Sequence, residues 1–147
     1  MTAADELDVV VVGAGFAGLY ALHKFRGQGL SVRVFEAAPE VGGTWYFNRY
    51  PGARCDVESV DYSYSFSDEL QQQWTWTEKY ATQGEILAYI NWVADTLDLR
   101  RDITFDMQVT SAVLDESMLR WSVTTEDGRV TTARFVVMAT GALSAAI

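Results

Sequence analysis

An α/β domain of three layers, with a parallel sheet between helices and a small β-meander, is the fold class that the sequence predicts. Three observations carry this. The β-branched run Val9-Val10-Val11-Val12 leads straight into glycines. Strand, helix and strand patterns follow one another within residues 9–36. A string of short alternating segments after residue 103 then ends in a second apolar run, Phe135 to Ala139. Apolar runs bounded by glycines mark parallel strands buried on both faces. A strand-helix-strand succession this short is one βαβ unit, whose crossover is right-handed. With 147 residues, 49% of them hydrophobic, the chain can fill one domain core.

In order along the chain, Val9 to Val12 form the first strand, which ends at Gly13-Ala14-Gly15-Phe16-Ala17-Gly18. From Phe16 to Gln28 the residues Leu19, Tyr20, Leu22, His23 and Phe25 fall near helical spacing, and Gly27 and Gly29 stop the helix. Ser31 to Glu36 is the second strand. Residues 37–82 lack periodicity but hold Trp45, Tyr46, Phe47, Tyr50, Tyr62, Tyr64, Phe66, Trp74, Trp76 and Tyr80. So many aromatic rings cannot all face solvent, so a packed loop region is expected. A helix begins at Thr82 or Gln83 and runs through Ile86, Leu87, Ile90, Val93, Ala94 and Leu97. Ile103 to Phe105, Val109 to Leu114, Leu119 to Thr125 and Arg129 to Thr132 read as short strands of a meander, with Asp127-Gly128 as a hairpin turn. Phe135 to Ala139 is a further buried strand, followed by Thr140-Gly141.

Eleven basic against twenty acidic side chains give a net charge of −9. That sign repels phosphate backbones and anionic lipid, which argues against nucleic acid and membrane surfaces as partners. No apolar run near the start approaches the ~20 residues of a membrane span, and Asp5, Glu6 and Asp8 oppose a signal-peptide head. A soluble, cytoplasmic protein is expected. The single cysteine, Cys55, excludes an internal disulfide framework and a cysteine-based zinc site, and no metal is expected.

The chemistry lies at the first turn. Gly13 allows the tight turn after the strand, Gly15 lets backbone approach a pyrophosphate, and Gly18 lets the helix pack against the sheet. The helix start, with Phe16 and Ala17, offers free N–H groups and a positive dipole end to phosphates. Glu36 ends the second strand, where a carboxylate accepts hydrogen bonds from the adenosine ribose and repels a 2′-phosphate. Gly42-Gly43 supplies a second segment of close backbone approach, and Ala139-Thr140-Gly141 returns the chain to the same crevice. Two glycine contacts at separate places favour FAD over NAD as the bound dinucleotide.

The stretch from Gly42 to Asp56, Gly-Gly-Thr-Trp-Tyr-Phe-Asn-Arg-Tyr-Pro-Gly-Ala-Arg-Cys-Asp, resembles type I Baeyer-Villiger monooxygenases. The resemblance runs from about Asp8 to Ser144, takes in Tyr62 to Ser67, Trp76 to Tyr80 and Val109 to Ala112, and is nearest to the phenylacetone and steroid monooxygenase branch. It implies the N-terminal part of a flavoprotein with two dinucleotide-binding domains, truncated before its NADP-binding domain, so that residues 1–147 are an FAD-binding domain inactive alone. It implies FAD and NADPH as cofactors, a ketone and O2 as substrates, and the remainder of the enzyme beyond Ile147 as partner. The reaction implied is insertion of oxygen beside a ketone carbonyl through a flavin peroxide, giving an ester or lactone.

By the same resemblance Thr44, Trp45, Tyr46 and Phe47 line the flavin, Tyr62 and the backbone of Val109 touch the cofactor, and Arg54, Cys55 and Asp56 face the nicotinamide. Asp56 resembles the carboxylate that orients a catalytic arginine beyond this chain. Phe47 stands where the family usually has tryptophan, and Gly84 where proline often opens the helix. Plainer readings stand beside these: Asp56 as the N-cap of a helix before Val57-Glu58-Ser59, Arg54 in a surface ion pair, the aromatics as core, His23 as a packing residue and Cys55 as an unreactive lining residue. A nitrogen- or sulfur-oxygenating flavin monooxygenase, a stand-alone FAD-binding module and an NAD-dependent dehydrogenase remain as alternatives.

Overall fold

The computed structural model describes residues 6–143. Asp5 and Ser144, invoked above, lie outside them. The described elements are β1 (Glu6–Val12), α1 (Phe16–Gly27), β2 (Val32–Phe35), α2 (Thr44–Phe47), α3 (Asp68–Gln73), α4 (Gln83–Thr96), a 3-10 turn (Arg100–Asp102), β3 (Ile103–Thr104), β4 (Val109–Asp115), β5 (Arg120–Thr125) and β6 (Val130–Met138). The six strands form one sheet in the order β3-β2-β1-β6-β5-β4. β1 is parallel to β2 and to β6, and β2 to β3, whereas β4, β5 and the start of β6 are antiparallel.

The three layers follow from the alternation of side chains along β1. Val9 and Val11 point to one face and pack with Leu19 and Leu22 of α1 and Ile86, Tyr89, Ile90 and Val93 of α4. Val10 points to the other, where it meets Phe35, Val123, Ala133 and the flanking Met107, Val109, Ala112 and Trp121 of the meander. Val9, Val10 and Val11 are all buried, as the unbroken valine run requires.

One expectation is corrected. Arg129 to Thr132 and Phe135 to Ala139 were expected as separate strands, yet Val130–Met138 is continuous. Its first half pairs with β5 from Val130 to Ala133, and its stretch from Thr132 to Met138 pairs with β1. No glycine or proline interrupts the segment, so the chain changes partner without leaving the extended conformation. The meander is thereby joined to the parallel sheet through a shared strand. Two short helices arise within the loop region, α2 and α3, the latter capped by Ser67 Oγ, which accepts from the Leu70 N–H.

Thr82, not Gln83, caps α4: its hydroxyl accepts from the Glu85 N–H. The far end of α4 is tied to α1 by Arg26, which donates to the carbonyls of Leu97 and Asp98 and to Asp102. No helix among the described residues is long and apolar enough to cross a membrane.

Candidate functional site

The carboxyl ends of β1, β2 and β6 meet around the first turn. Gly13, at φ +103°, donates its N–H to the Phe35 carbonyl, and a Cβ there would lie 2.5 Å from the Ala139 carbonyl oxygen. At Gly18 a Cβ would fall 1.8 Å from the Gly13 carbonyl oxygen. The turn, α1 and the end of β6 are therefore in contact only because these positions lack side chains. Gly15 begins α1 with no side-chain cap, so the first N–H groups of the helix and its positive dipole end remain open to an anion.

The second glycine segment closes on the first. Gly43, at φ +53°, is so near Gly15 that a Cβ on Gly43 would lie 3.1 Å from the Gly15 Cα. The Gly42 N–H donates to the Ala14 carbonyl at 3.0 Å. Backbone thus meets backbone, leaving a smooth wall beside the start of α1.

Glu36 stands just past β2 and is buried. Its Oε2 accepts from the Ala14 N–H at 2.5 Å and its Oε1 from the Ala38 N–H at 2.8 Å. The carboxylate fastens the glycine turn to the end of β2, and each oxygen keeps a further lone pair for ribose hydroxyls. The Glu36 carbonyl also accepts from the Met107 N–H, which places Val109, two residues on, beside this corner.

The aromatic stretch divides in two. Trp45 is core: its indole N–H donates to the Tyr62 hydroxyl at 2.9 Å, and its ring meets Tyr62 edge-on. Tyr62 also packs edge-on against Phe16, and burial raises the pKa of its hydroxyl. Tyr46 is half-buried, whereas Phe47 and Tyr50 are exposed, at 63% and 65%. Thr44 opens α2, directly after Gly43. Thr140 and Gly141, just past β6, are exposed at the mouth of the crevice.

Arg54, Cys55 and Asp56 lie on a segment tied to the start of α4, where the Cys55 N–H donates to Ala81 and the Gln83 N–H to Ala53. Arg54 is exposed and donates to Glu78 Oε2 at 2.6 Å and to the Tyr80 carbonyl at 2.7 Å. The plain ion-pair reading describes this arrangement. Cys55 is buried. Asp56 is exposed, and no helix follows it; residues 58–62 form a turn in which the Asp61 and Tyr62 N–H groups donate to the Glu58 carbonyl. The helix-cap reading of Asp56 is corrected: residues 56–57 form a bend and 59–61 a turn, with no helix after Asp56 for an aspartate to cap. His23 stacks on Phe66 at 4.7 Å, in keeping with a packing role. Among the described residues no group of histidine, cysteine and carboxylate side chains could hold a metal.

Two residues support the site through bonds that no motif announced. Gln83 donates its side-chain N–H to the Trp45 carbonyl at 2.5 Å, pinning α2 to α4. The Tyr64 hydroxyl donates to the Phe16 carbonyl, and the Tyr64 N–H in turn donates to the Tyr89 hydroxyl. Tyr64 lies in the aromatic stretch of residues 62–66, whereas nothing in the sequence marked the Gln83 side chain.

Comparison with known proteins agrees with this geometry. The NAD(P)-binding Rossmann-like domain family matches residues 11–72. An acetone monooxygenase (methyl acetate-forming) of Gordonia sp. (strain TY-5) is 51% identical over 139 residues, 95% of this chain and 26% of that protein. A phenazine N-monooxygenase of Lysobacter antibioticus is 48% identical over 140 residues, 95% of this chain and 26% of that protein. The solved structure of an oxidized steroid monooxygenase bound to NADP superposes with a TM-score of 0.94 at 70% identity, covering 97% of this chain and 27% of that one. In sequence and fold the chain matches the N-terminal part of Baeyer-Villiger and steroid monooxygenases, and it spans about a quarter of their length.

Proposed function

We propose that the chain is the FAD-binding part of an NADPH- and O2-dependent Baeyer-Villiger monooxygenase that converts ketones to esters or lactones, with NADPH held mainly by parts of the enzyme beyond Ile147. The observation that carries this is the meeting of the Gly15 and Gly43 backbones beside buried Glu36. That cradle takes a dinucleotide whose diphosphate lies on the start of α1 and whose longer, flavin end needs a second glycine wall. FAD supplies the reducible ring on which NADPH and oxygen react; the chain's residues bind and orient.

In this reading the open N–H groups of α1 hold the diphosphate and Glu36 accepts from the ribose hydroxyls. Thr44 to Phe47, Tyr62, Val109 and the Ala139-Thr140-Gly141 segment flank the cofactor. Because Trp45 is packed in the core, its part is to hold the wall through Tyr62, and exposed Phe47 is the ring of this stretch most open to a ligand. Arg54 to Asp56 face the nicotinamide. Arg54's exposed pair with Glu78 is worth at most ~1 kcal/mol, and turning toward a phosphate or nicotinamide exchanges that pair and the bond to the Tyr80 carbonyl for new ones. Exposed Asp56, with no hydrogen-bond partner among the described residues, is the positioning carboxylate for an arginine from outside the chain.

Nitrogen oxygenation is the second reading, favoured by the phenazine N-monooxygenase relative. The chromophore extracted from protein made in cells tests the shared premise: FAD is expected, and FMN or no flavin would refute it. Assay of the full-length parent with ketones and with aromatic N-heterocycles separates the two readings, and oxidation of the heterocycles alone would overturn the ketone assignment.

A further inference from the structure

We infer that the aromatic rings behind the cofactor wall form a one-electron relay, which carries oxidising equivalents from Trp45 and Tyr62 out to Trp74, Trp76 and Trp92. The inference rests on the proposed function above, since oxygen chemistry at a flavin is what brings an oxidant to the crevice. That oxidant is a one-electron acceptor of the hydroxyl-radical class, made from stray hydrogen peroxide.

Four of the five tryptophans belong to one chain of neighbouring rings. Trp45, behind the second glycine segment, lies 5.7 Å from Tyr62, and Tyr62 lies 5.1 Å from Phe16. Phe16 leads to Tyr64 at 5.2 Å and to Tyr89 at 6.2 Å. Tyr89 then meets Trp76 at 5.0 Å, Trp74 at 5.3 Å and Trp92 at 6.0 Å. All of these spacings are those of rings in contact. Trp45 is buried, whereas Trp74, Trp76 and Trp92 are half-buried, so the path runs from the interior toward solvent. Packing alone would be served by leucine or phenylalanine; apart from Phe16, these rings belong to the two aromatic side chains that give up one electron readily.

The polar groups set the direction. A phenol that loses an electron must shed its proton, and the buried tyrosines have no base to take it. The Tyr64 hydroxyl donates to the Phe16 carbonyl, the Tyr89 hydroxyl accepts from the Tyr64 N–H, and burial pushes the pKa of both hydroxyls up. Tyrosine therefore passes the vacancy on, whereas an indole holds it as a radical cation with its proton in place. At the outer end two buried polar atoms have no hydrogen-bond partner, Trp74 Nε1 and Glu85 Oε2. Glu85 Oε1 accepts from the N–H of Thr77, the residue after Trp76. The unshared Oε2 thus places negative charge in the corner of the indoles, a cost in the resting fold and a gain once one of them is positive. In each event the hydroxyl radical gains one electron and becomes hydroxide. Trp45 loses that electron and regains one through Tyr62 and Tyr89 from an outer indole, which a soluble thiolate then refills.

The FAD-loaded full-length parent tests this. A laser pulse into the bound flavin makes it a one-electron oxidant in place, and transient absorption reads the indole radical. That radical should live at least tenfold longer in the parent than in Trp74→Phe/Trp76→Phe/Trp92→Phe at equal flavin content. Mass spectrometry after incubation with NADPH and oxygen, but no ketone, should find indole oxidation at those three positions and not at Trp121. Trp121 is also half-buried but packs in the meander cluster, so it controls for attack from solvent. If the triple variant loses flavin, Trp92→Phe alone should shift the oxidation onto Trp74 and Trp76. An FAD-loaded parent with no indole radical, equal lifetimes in parent and variant, or equal oxidation of Trp121 overturns the relay and leaves the functional reading standing. A parent that binds no FAD overturns the functional reading, and the inference with it.

Discussion

Glu36 does more than wait for a ribose, and its replacement shows how much. Glu36→Ala removes two charge-assisted acceptors at once, leaving the Ala14 and Ala38 N–H groups unpaired. Ala14 is 0% and Ala38 3% exposed, so water cannot replace the carboxylate unless the turn opens. At ~1.5 to 3 kcal/mol for a hydrogen bond to a charged group, the loss of folding stability should be ~3 to 6 kcal/mol. That is a large share of the ~5 to 15 kcal/mol by which a domain is stable. Glu36→Gln keeps one acceptor but aims an NH2 group at the other N–H, and should recover less than half. Urea unfolding without cofactor measures this term. Flavin-fluorescence titration measures the further ~1 to 3 kcal/mol expected from lost ribose contacts. An unfolding free energy within ~0.5 kcal/mol of the parent for Glu36→Ala would refute the bracing role, whatever happened to affinity.

Other expectations follow from single positions. Gly43→Ala combines a left-handed φ, costing ~1 to 2 kcal/mol, with a 3.1 Å approach to Gly15; it should weaken FAD at least tenfold, and unchanged affinity by titration would show that the two glycine loops need not touch. Gly84→Ala meets open space on α4 and should instead raise stability by ~0.5 to 1 kcal/mol, read as a higher denaturation midpoint. Asp56→Ala should leave the melting temperature alone, since no helix begins after it, while lowering turnover of the full-length parent roughly tenfold to a hundredfold; lowered stability with normal turnover would make it structural. Burial and then Arg26 and Lys24 depress the His23 pKa, so the unfolded chain binds its proton first. Stability should be complete above about pH 6.5 and fall as the pH drops through the lower folded value. A pH series on His23→Gln, which should abolish that slope, checks it.

Much of the fold was legible because its signals are local. The valine run, the helical spacing from Leu19 to Phe25, the spacing from Ile86 to Val93 and the Asp127-Gly128 turn each lie within a few residues of the structure they specify. Elements set by distant contacts were not. α2 is a single turn whose start depends on Gly43 at positive φ, held against Gly15 nearly thirty residues earlier. α3 did carry a signal, Ser67 followed by Asp68 and Glu69, but only Leu70 of its six residues is buried, so no period could show. β6 looked like two strands because its exposed Arg134 interrupts the apolar pattern at the point where the partner changes from β5 to β1.

The site shows the same division at finer grain. Glycines whose missing Cβ atoms would strike Ala139 or Gly13 declare themselves in sequence, since no other residue can stand there. What holds the second glycine segment in place was hidden, because it uses main-chain carbonyls that any residue could provide. Gln83 grips the Trp45 carbonyl, the Gly42 N–H grips that of Ala14, and the Tyr64 hydroxyl grips that of Phe16. These three bonds run from α4, from the second glycine segment and from the aromatic loop to the same few residues around α1 and α2. The aperiodic region between residues 37 and 82 is therefore the brace that keeps Gly43 against Gly15. Its aromatic content follows from that duty: rings such as Trp45, Tyr62 and Tyr64 fill the space behind the wall, the Trp45 N–H donating to the Tyr62 hydroxyl and the Tyr64 hydroxyl reaching the Phe16 carbonyl, which aliphatic side chains cannot do.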